Sequence, residues 1–247
     1  MDRISLWLLL FSSLLFSSCS KRYQIEGRSS ISLLDGRMLY LKVPVGNDLV
    51  NIDSAEVIHG SFQMAGRVDS TVVASLFMDN QNVMPVILEK GSIVITIENS
   101  KLHVQGTPLN NSLYDYIEQR NSLESHAYEL ERTESRMIME GHSLEQVEIK
   151  MNEVRQSLLQ QVTALNKSFI QKNYTNLLGP SLFLMVCEGY DSPVMPHFIK
   201  QILDEAPACF KENVQVQSYI DVVRSSMQDL RSESESLSGV YSSLVSH

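Results

Sequence analysis

Residues 102–113 read LHVQGTPLNNSL, and the periodicity of the chain changes within this stretch. Upstream of it, apolar and polar residues alternate as they do in half-buried strands. Thr107 is a predicted helix N-cap, and Pro108 suits the first helical position, where the N–H that proline lacks would have no partner inside the helix. The stretch therefore predicts a β-rich part that ends at residue 106 and a helical part that begins at residue 107.

The β-rich part, residues 23–106, consists of short alternating runs separated by turn residues. Eight strands are predicted, at Tyr23–Arg28, Met38–Val43, Ala55–His59, Ser61–Arg67, Val72–Met78, Val83–Leu88, Ser92–Glu98 and Leu102–Gln105. Asp35-Gly36 predicts a hairpin turn because both positions tolerate positive φ, and His59-Gly60 and Lys90-Gly91 mark later turns. So many short strands predict an antiparallel β-sandwich or an open barrel.

The helical part, residues 107–231, is dominated by one long apolar stripe. Ser143 and Gln146 form a predicted capping box, and the stripe then runs from Leu144 to Phe169. A looser stripe between Leu113 and about Glu140 predicts the partner helix of a long antiparallel hairpin. Shorter helices are predicted at Pro180–Glu188, Pro193–Glu205 and Val214–Arg231. The serine-rich residues 232–247 predict a disordered tail, and the fold class is α+β.

The N-terminus carries an export signal. An apolar run follows Arg3, but it is too short and too rich in serine for the roughly 20 apolar residues that span a bilayer. The segment resembles the lipobox of bacterial lipoproteins, with Ser17 and Ser18 in the small positions and Cys19 as the acylated residue. We therefore expect a signal peptide at residues 1–18, palmitate on Cys19, and a linker at residues 19–22. The alternative is an ordinary secretory signal with an incidental cysteine.

Composition and motifs exclude several functions. The formal net charge of −9, most of it in the helical part, argues against non-specific binding to nucleic acid or to an anionic membrane surface, because both need clustered lysine and arginine. The sequence has no phosphate-binding glycine loop, nucleophile elbow, His-Glu-x-x-His or Cys-x-x-Cys motif. Its six histidines are widely spaced, and Cys187 and Cys209 lie too far apart for a redox pair. We therefore expect no catalytic, cofactor-binding or metal-binding residues, and no enzymatic activity.

Five runs together resemble a Bacteroidetes domain of unknown function, family 4369. They are YQIEG at 23–27, DGRMLYL at 35–41, IDSAEV at 52–57, GSFQMAG at 60–66 and GTPLN at 106–110. Such domains are found before a thioredoxin-like domain in envelope lipoproteins, so the resemblance implies a periplasm-facing lipoprotein with a β-rich head and a helical connector. The sequence ends where the thioredoxin-like domain would begin, so no catalytic residues are carried over.

The expected function is that of a lipid-anchored envelope protein acting as a binding or interaction module. Its expected partners are the membrane, through lipid on Cys19, and a thioredoxin-like or other envelope protein. One alternative is an accessory subunit of a periplasmic thiol–disulfide exchange system, and another is a purely structural role. Residues 20–22 lack the acidic run that resembles a surface-export signal, which favours an outer-membrane location facing the periplasm.

Two short sequences resemble the O-glycosylation sequon of these bacteria. They are Asp53-Ser54-Ala55 and Asp69-Ser70-Thr71. Ser54 and Ser70 are therefore candidate glycosylation sites, although residues 53–55 also fit the start of a strand.

Overall fold

The computed structural model describes residues 22–189, 196–226 and 228. Within that range the chain is α+β, as predicted, with strands followed by helices. It divides into two compact units, one ending at Tyr114 and one beginning at Asp115, and each is described by itself. The predicted signal peptide, the predicted acylation site Cys19 and the predicted tail at 232–247 lie outside the described residues.

The first unit contains two four-stranded sheets. Its strands are β1 (Arg22–Ser29), β2 (Met38–Val45), β3 (Asp48–Glu56), β4 (Ser61–Arg67), β5 (Val72–Met78), β6 (Gln81–Leu88), β7 (Gly91–Ile97) and β8 (Leu102–Gln105). The order is β4-β1-β7-β8 in the first sheet and β3-β2-β5-β6 in the second. All pairs are antiparallel except β1 with β7, which run parallel. The sequence pattern did not reveal this parallel pair.

Alternate residues of both sheets supply the core of this unit. The fully buried side chains include Ile25, Ile93 and Ile95 from the first sheet, and Leu41 and Leu76 from the second. Each such side chain contributes roughly 1.5–3 kcal/mol when it is removed from water. The alternation that predicted the strands is therefore also the pattern that stabilises them.

The predicted hairpin turn at Asp35-Gly36 is wrong. Asp35 has φ −62° and ψ 129°, Gly36 has φ 78°, and the Arg37 N–H donates to the Leu34 carbonyl at 3.0 Å. These values describe a type II turn. The turn leads from β1 in one sheet to β2 in the other, so the strands on either side of it do not pair. Local turn chemistry was correctly detected, but it does not specify which strands become neighbours.

The third strand also differs from its prediction. It was predicted at Ala55–His59 and occupies Asp48–Glu56 instead. Its first half is exposed on both faces, so burial imposes no alternation there. His59 and Gly60 have φ 50° and 69° and form the turn into β4, as the two positive φ values of a type I′ turn require.

The segment between β8 and the first helix is hydrogen-bonded to the outer edge of β6, an end strand of the second sheet. The side-chain amide of Asn110 accepts from the Ile87 N–H at 2.9 Å and donates to the Ile87 carbonyl at 2.7 Å. It therefore replaces the peptide group of a neighbouring strand. Tyr114 donates to the Pro85 carbonyl at 2.8 Å, and the Glu89 carboxylate accepts from the Leu109 N–H at 2.8 Å. These contacts cover a sheet edge that could otherwise pair with another chain.

The second unit is helical. The helices are α1 (Pro108–Met139), α2 (Leu144–Lys172), α3 (Leu178–Glu188), α4 (His197–Glu205), α5 (Ala208–Lys211) and α6 (214–226). The predicted capping box is confirmed, because Ser143 Oγ accepts from the Gln146 N–H and Gln146 Oε1 accepts from the Ser143 N–H. The short α5 was not predicted, and Pro193, the predicted start of the helix that precedes it, lies outside the described residues.

Helices α1 and α2 form the predicted antiparallel hairpin. Near its base the Tyr116 hydroxyl donates to Asn166 Oδ1 at 2.9 Å, and further along Arg155 and Glu134 form an ion pair at 3.4 Å. Burial along the α2 stripe is uneven, because Met151 is buried whereas Leu144 is exposed. In the described part of the chain, no helix is both long enough and apolar enough to cross a membrane.

Candidate functional site

A groove of about 520 Å³ lies at one end of the first sheet. At this end β1 begins, β4 ends and β7 begins. The strand register places Arg22 of β1 opposite Arg67 of β4. In the next row, Tyr23 lies between Gly66 of β4 and Gly91 of β7. In this row the two glycines make room for the neighbouring side chains, because a Cβ atom at position 66 would meet the Tyr23 ring and one at position 91 would approach Thr107.

Tyr23 and Gly66 form a close cross-strand pair. A Cβ atom at position 66 would lie 2.5 Å from the Tyr23 hydroxyl oxygen, so this position requires glycine. The same strands contain a second pair, in which the glycine is in β1 and the aromatic residue is in β4. Here the Phe62 ring covers Gly27. Aromatic rings that cover glycines in a sheet restore packing and fix strand register. The two pairs therefore hold β1 and β4 in the register that forms the groove.

The Tyr23 phenol is held in its neutral form. Its hydroxyl lies 3.5 Å from Asp53 Oδ2, which also accepts from the Ala65 N–H at 3.1 Å. Burial, with a smaller effect of the Asp53 carboxylate, raises the pKa of Tyr23 to about 12. Because a general base or nucleophile at neutral pH needs a lowered pKa, Tyr23 is a packing and hydrogen-bonding residue.

The two arginines of the groove face each other across β1 and β4. Both side chains are exposed, and neither forms an ion pair with any residue that the structure describes. Like charges in directly opposite positions of an antiparallel pair destabilise it. Arg22 and Arg67 therefore make this end of the sheet locally positive, although the chain as a whole carries a net charge of −9.

A second surface feature is the ribbon, defined here as residues 42–52 of the β2–β3 hairpin. Lys42 pairs with both β3 and β5. Among the described residues, Val43–Val45 pair with β3 alone. The ribbon exposes Val45 and Leu49, at 57% and 55%, and also Val50 and Ile52. It is thus a two-stranded element with exposed apolar side chains.

The candidate glycosylation sites are both exposed. Ser54 lies in β3, and its N–H donates to Asp53 Oδ1 at 2.8 Å. Ser70 lies in the loop between β4 and β5. Because the Asp53 carboxylate also accepts from β4, the first sequon has a structural role in the fold. Glycosylation at Ser54 and Ser70 stays a prediction.

The two cysteines of the helical unit have different surroundings. Cys187 is buried and Cys209 is exposed, and both are free thiols. Burial raises the pKa of the Cys187 thiol to about 12, which suppresses the thiolate that redox chemistry requires. No group of three or more potential metal ligands occurs among the residues that the structure describes.

We expect the two thiols to react at very different rates. In a Cys19→Ala background at pH 8, a disulfide reagent such as Ellman's should label Cys209 quickly and label Cys187 only after denaturation. The reason is that Cys187 is buried and protonated, whereas Cys209 is open to solvent. Mass spectrometry of the labelled peptides gives both rates. Fast labelling of Cys187 in the native chain would contradict this arrangement.

The fold and these surfaces define a two-unit α+β protein whose β unit presents an open groove and an exposed apolar ribbon. The family model of the domain of unknown function DUF4369 matches residues 23–113. The match covers the β unit and the start of α1, and it confirms the resemblance to this domain family found in the sequence. The comparison with curated proteins gave no match.

The residues that carry the family resemblance serve the framework of the domain. The runs at 23–27 and 60–66 supply the two glycine–aromatic pairs, and the run at 106–110 contains Asn110 at the β6 edge. Sequence reasoning missed the arginine pair, because Arg22 and Arg67 meet only through the β1–β4 register. In both runs an aromatic residue comes four positions before a glycine, at 23 and 27 and at 62 and 66, and this shared spacing was the available signal for their antiparallel register.

Proposed function

We propose that this protein is a lipid-anchored component of the cell envelope that binds another protein and has no catalytic activity of its own. In this proposal lipid on Cys19 holds the chain at the outer membrane on the side that faces the periplasm. The observation that supports the binding role is the exposed apolar ribbon of the β unit.

The ribbon has the physical properties of a docking element. An isolated two-stranded hairpin is at best marginally stable in water, so a ribbon that extends beyond its sheet benefits from a partner. Contiguous exposed apolar side chains commonly mark interaction surfaces. The free edges of such strands can also accept a strand from another chain, and the backbone hydrogen bonds of that pairing contribute affinity.

The ribbon also lacks the charges that usually protect sheet edges. Natural proteins block exposed edges with charged residues, especially lysine, or cover them. Between Val43 and Ile52 the only charged residue in the sequence is Asp48, at the turn. Lys42 at the base is directed to the Phe77 ring, with its Nζ 4.5 Å from the ring centroid. By contrast, the β6 edge of the same sheet is covered by Asn110.

Substitutions on the ribbon test the proposal. Val50→Lys should weaken partner binding by at least about tenfold, because it places a charge in the centre of the apolar surface. Asn47→Lys is the matched control, since it adds the same charge to an exposed polar position at the turn of the ribbon. A photo-crosslinking residue at Val45, used in cells, identifies the partner, and affinity is then measured with the purified pair.

Both variants should melt as the wild type does, because exposed substitutions change stability by about 0.5 kcal/mol or less. Equal binding of Val50→Lys and wild type would refute the ribbon as the docking element. A thioredoxin-like protein as the crosslinked partner would instead favour the accessory role in a thiol–disulfide exchange system. The absence of any specific crosslink would favour a purely structural role.

A further inference from the structure

We propose that the groove at the start of β1 binds the phosphate of an anionic ligand through Arg22 and Arg67, and that the anchored protein takes this phosphate from a lipid headgroup. The phosphate site itself stands on the geometry of the groove. The choice of a headgroup rests on the proposed anchoring at Cys19.

The first argument is that Arg22 and Arg67 are directly opposite residues of the β1–β4 pair. Cβ atoms of directly opposite residues in an antiparallel pair lie about 5 Å apart. At that separation two long arginine side chains can reach one anion from both sides. A phosphate accepts paired hydrogen bonds from each planar guanidinium, which is the geometry that favours arginine over lysine. An anion between the two side chains would convert their repulsion into two favourable contacts.

The second argument is the polar groups beside the arginines. The Tyr23 ring lies over Gly66 on the buried face of the second row, so Arg22, Gln24 and Arg67 line the groove on the opposite, exposed face. In the third row Ser92 of β7 lies beside Gln24 of β1, and both residues line the groove. The Ser92 hydroxyl forms no hydrogen bond to any residue that the structure describes, so it is available as a further donor.

The acidic groups near this end of the first sheet already have partners. Glu26, two residues along β1 from Gln24, accepts from the Gln24 side chain at 3.4 Å. Asp53 accepts from the Ala65 and Ser54 N–H groups and lies next to the Tyr23 hydroxyl. Neither carboxylate forms an ion pair with the two arginines, so the positive charge of Arg22 and Arg67 is directed to solvent.

The source of the phosphate follows from the position of the groove in the chain. Arg22 is three residues from Cys19, and three residues span at most about 10 Å. An acyl chain on Cys19 inserted into a membrane would hold the groove within reach of the headgroup layer. An electrostatic contact with an anionic headgroup would then add to the hydrophobic anchor, as in proteins that use two membrane signals.

The test uses the full chain labelled with ¹⁵N-glycine in uncharged dodecyl maltoside micelles. One arm adds inorganic phosphate at constant ionic strength. The other arm compares micelles that contain phosphatidylglycerol with micelles that contain phosphatidylcholine. The amide signals of Gly66 and Gly91 report on the groove, and those of Gly141 and Gly179 in the helical unit serve as internal controls.

We expect the Gly66 and Gly91 signals to shift saturably with phosphate and with phosphatidylglycerol, while the control signals stay in place. Arg22→Gln and Arg67→Gln should each weaken binding by about tenfold, the usual effect of losing a hydrogen bond to a charged group. Arg28→Gln, near the other end of β1, is the matched control and should bind as the wild type does. Without ligand, Arg22→Gln should not lower the melting temperature, because it removes the opposition of like charges.

The outcomes separate the parts of the proposal. Shifts with phosphatidylglycerol, with or without free phosphate, support the headgroup assignment. Shifts with free phosphate alone support the anion site and overturn its assignment to lipid. No saturable shift with either probe, or an equal loss of binding in Arg28→Gln, overturns the site itself. The phosphate arm does not depend on lipid at Cys19 or on the ribbon, so its result is independent of the proposed function.

Discussion

Replacement of Cys19 by alanine is expected to abolish lipid labelling and release the chain from membranes. Cys19 follows Ser17 and Ser18 in the lipobox-like segment, and we expect acyl chains at this position to provide the membrane contact. Several acyl chains hold a protein far better than one, at roughly 0.8 kcal/mol for each buried methylene group. No helix of the described chain could supply a spanning segment in their place.

The measurement is incorporation of labelled palmitate together with partition between membrane and soluble fractions. Cys209→Ala is the matched control, because it removes an exposed thiol of the helical unit and should leave both readouts unchanged. Labelled palmitate in the Cys19→Ala variant would mean that the lipobox interpretation is wrong.

Gly27→Ala is expected to destabilise the β unit by about 3 kcal/mol, which lowers its melting temperature by more than about 10 °C. A Cβ atom at position 27 would overlap the Phe62 ring. That ring is 3% exposed, so it cannot move aside without disrupting the core. The cost is that of overpacking a filled interior. Thermal unfolding of the full chain, followed by circular dichroism, measures it.

A double variant identifies the cause. Phe62→Leu leaves room for the new methyl group, so Gly27→Ala should cost less in that background than in the wild type. Gly189→Ala is the control, since a Cβ there would approach its nearest atom only to 3.4 Å. A wild-type melting temperature in Gly27→Ala would show that the ring can be repositioned and that the glycine–aromatic pair does not set the register.

The sequence predicted much of the fold but little of the candidate site. No motif marks the groove, because its arginines and glycines come from strands that are distant in sequence. The ribbon was missed for a related reason. A strand exposed on both faces has no alternation to detect, and Leu49 and Val50 are adjacent apolar residues, which breaks the alternation of a half-buried strand.

Periodicity by itself determined the α+β class, most of the strands and the helical hairpin, since burial of one face imposes a period on neighbouring residues. The capping box at Ser143 was readable because its hydrogen bonds connect residues three apart. Tertiary structure alone decided the parallel pairing of β1 with β7 and the turn at Asp35-Gly36 that joins the two sheets. It also decided that the Asn110 side chain bonds the backbone at the β6 edge. Each depends on residues far apart in the chain whose pairing follows from packing the two sheets together, and no local pattern records that pairing.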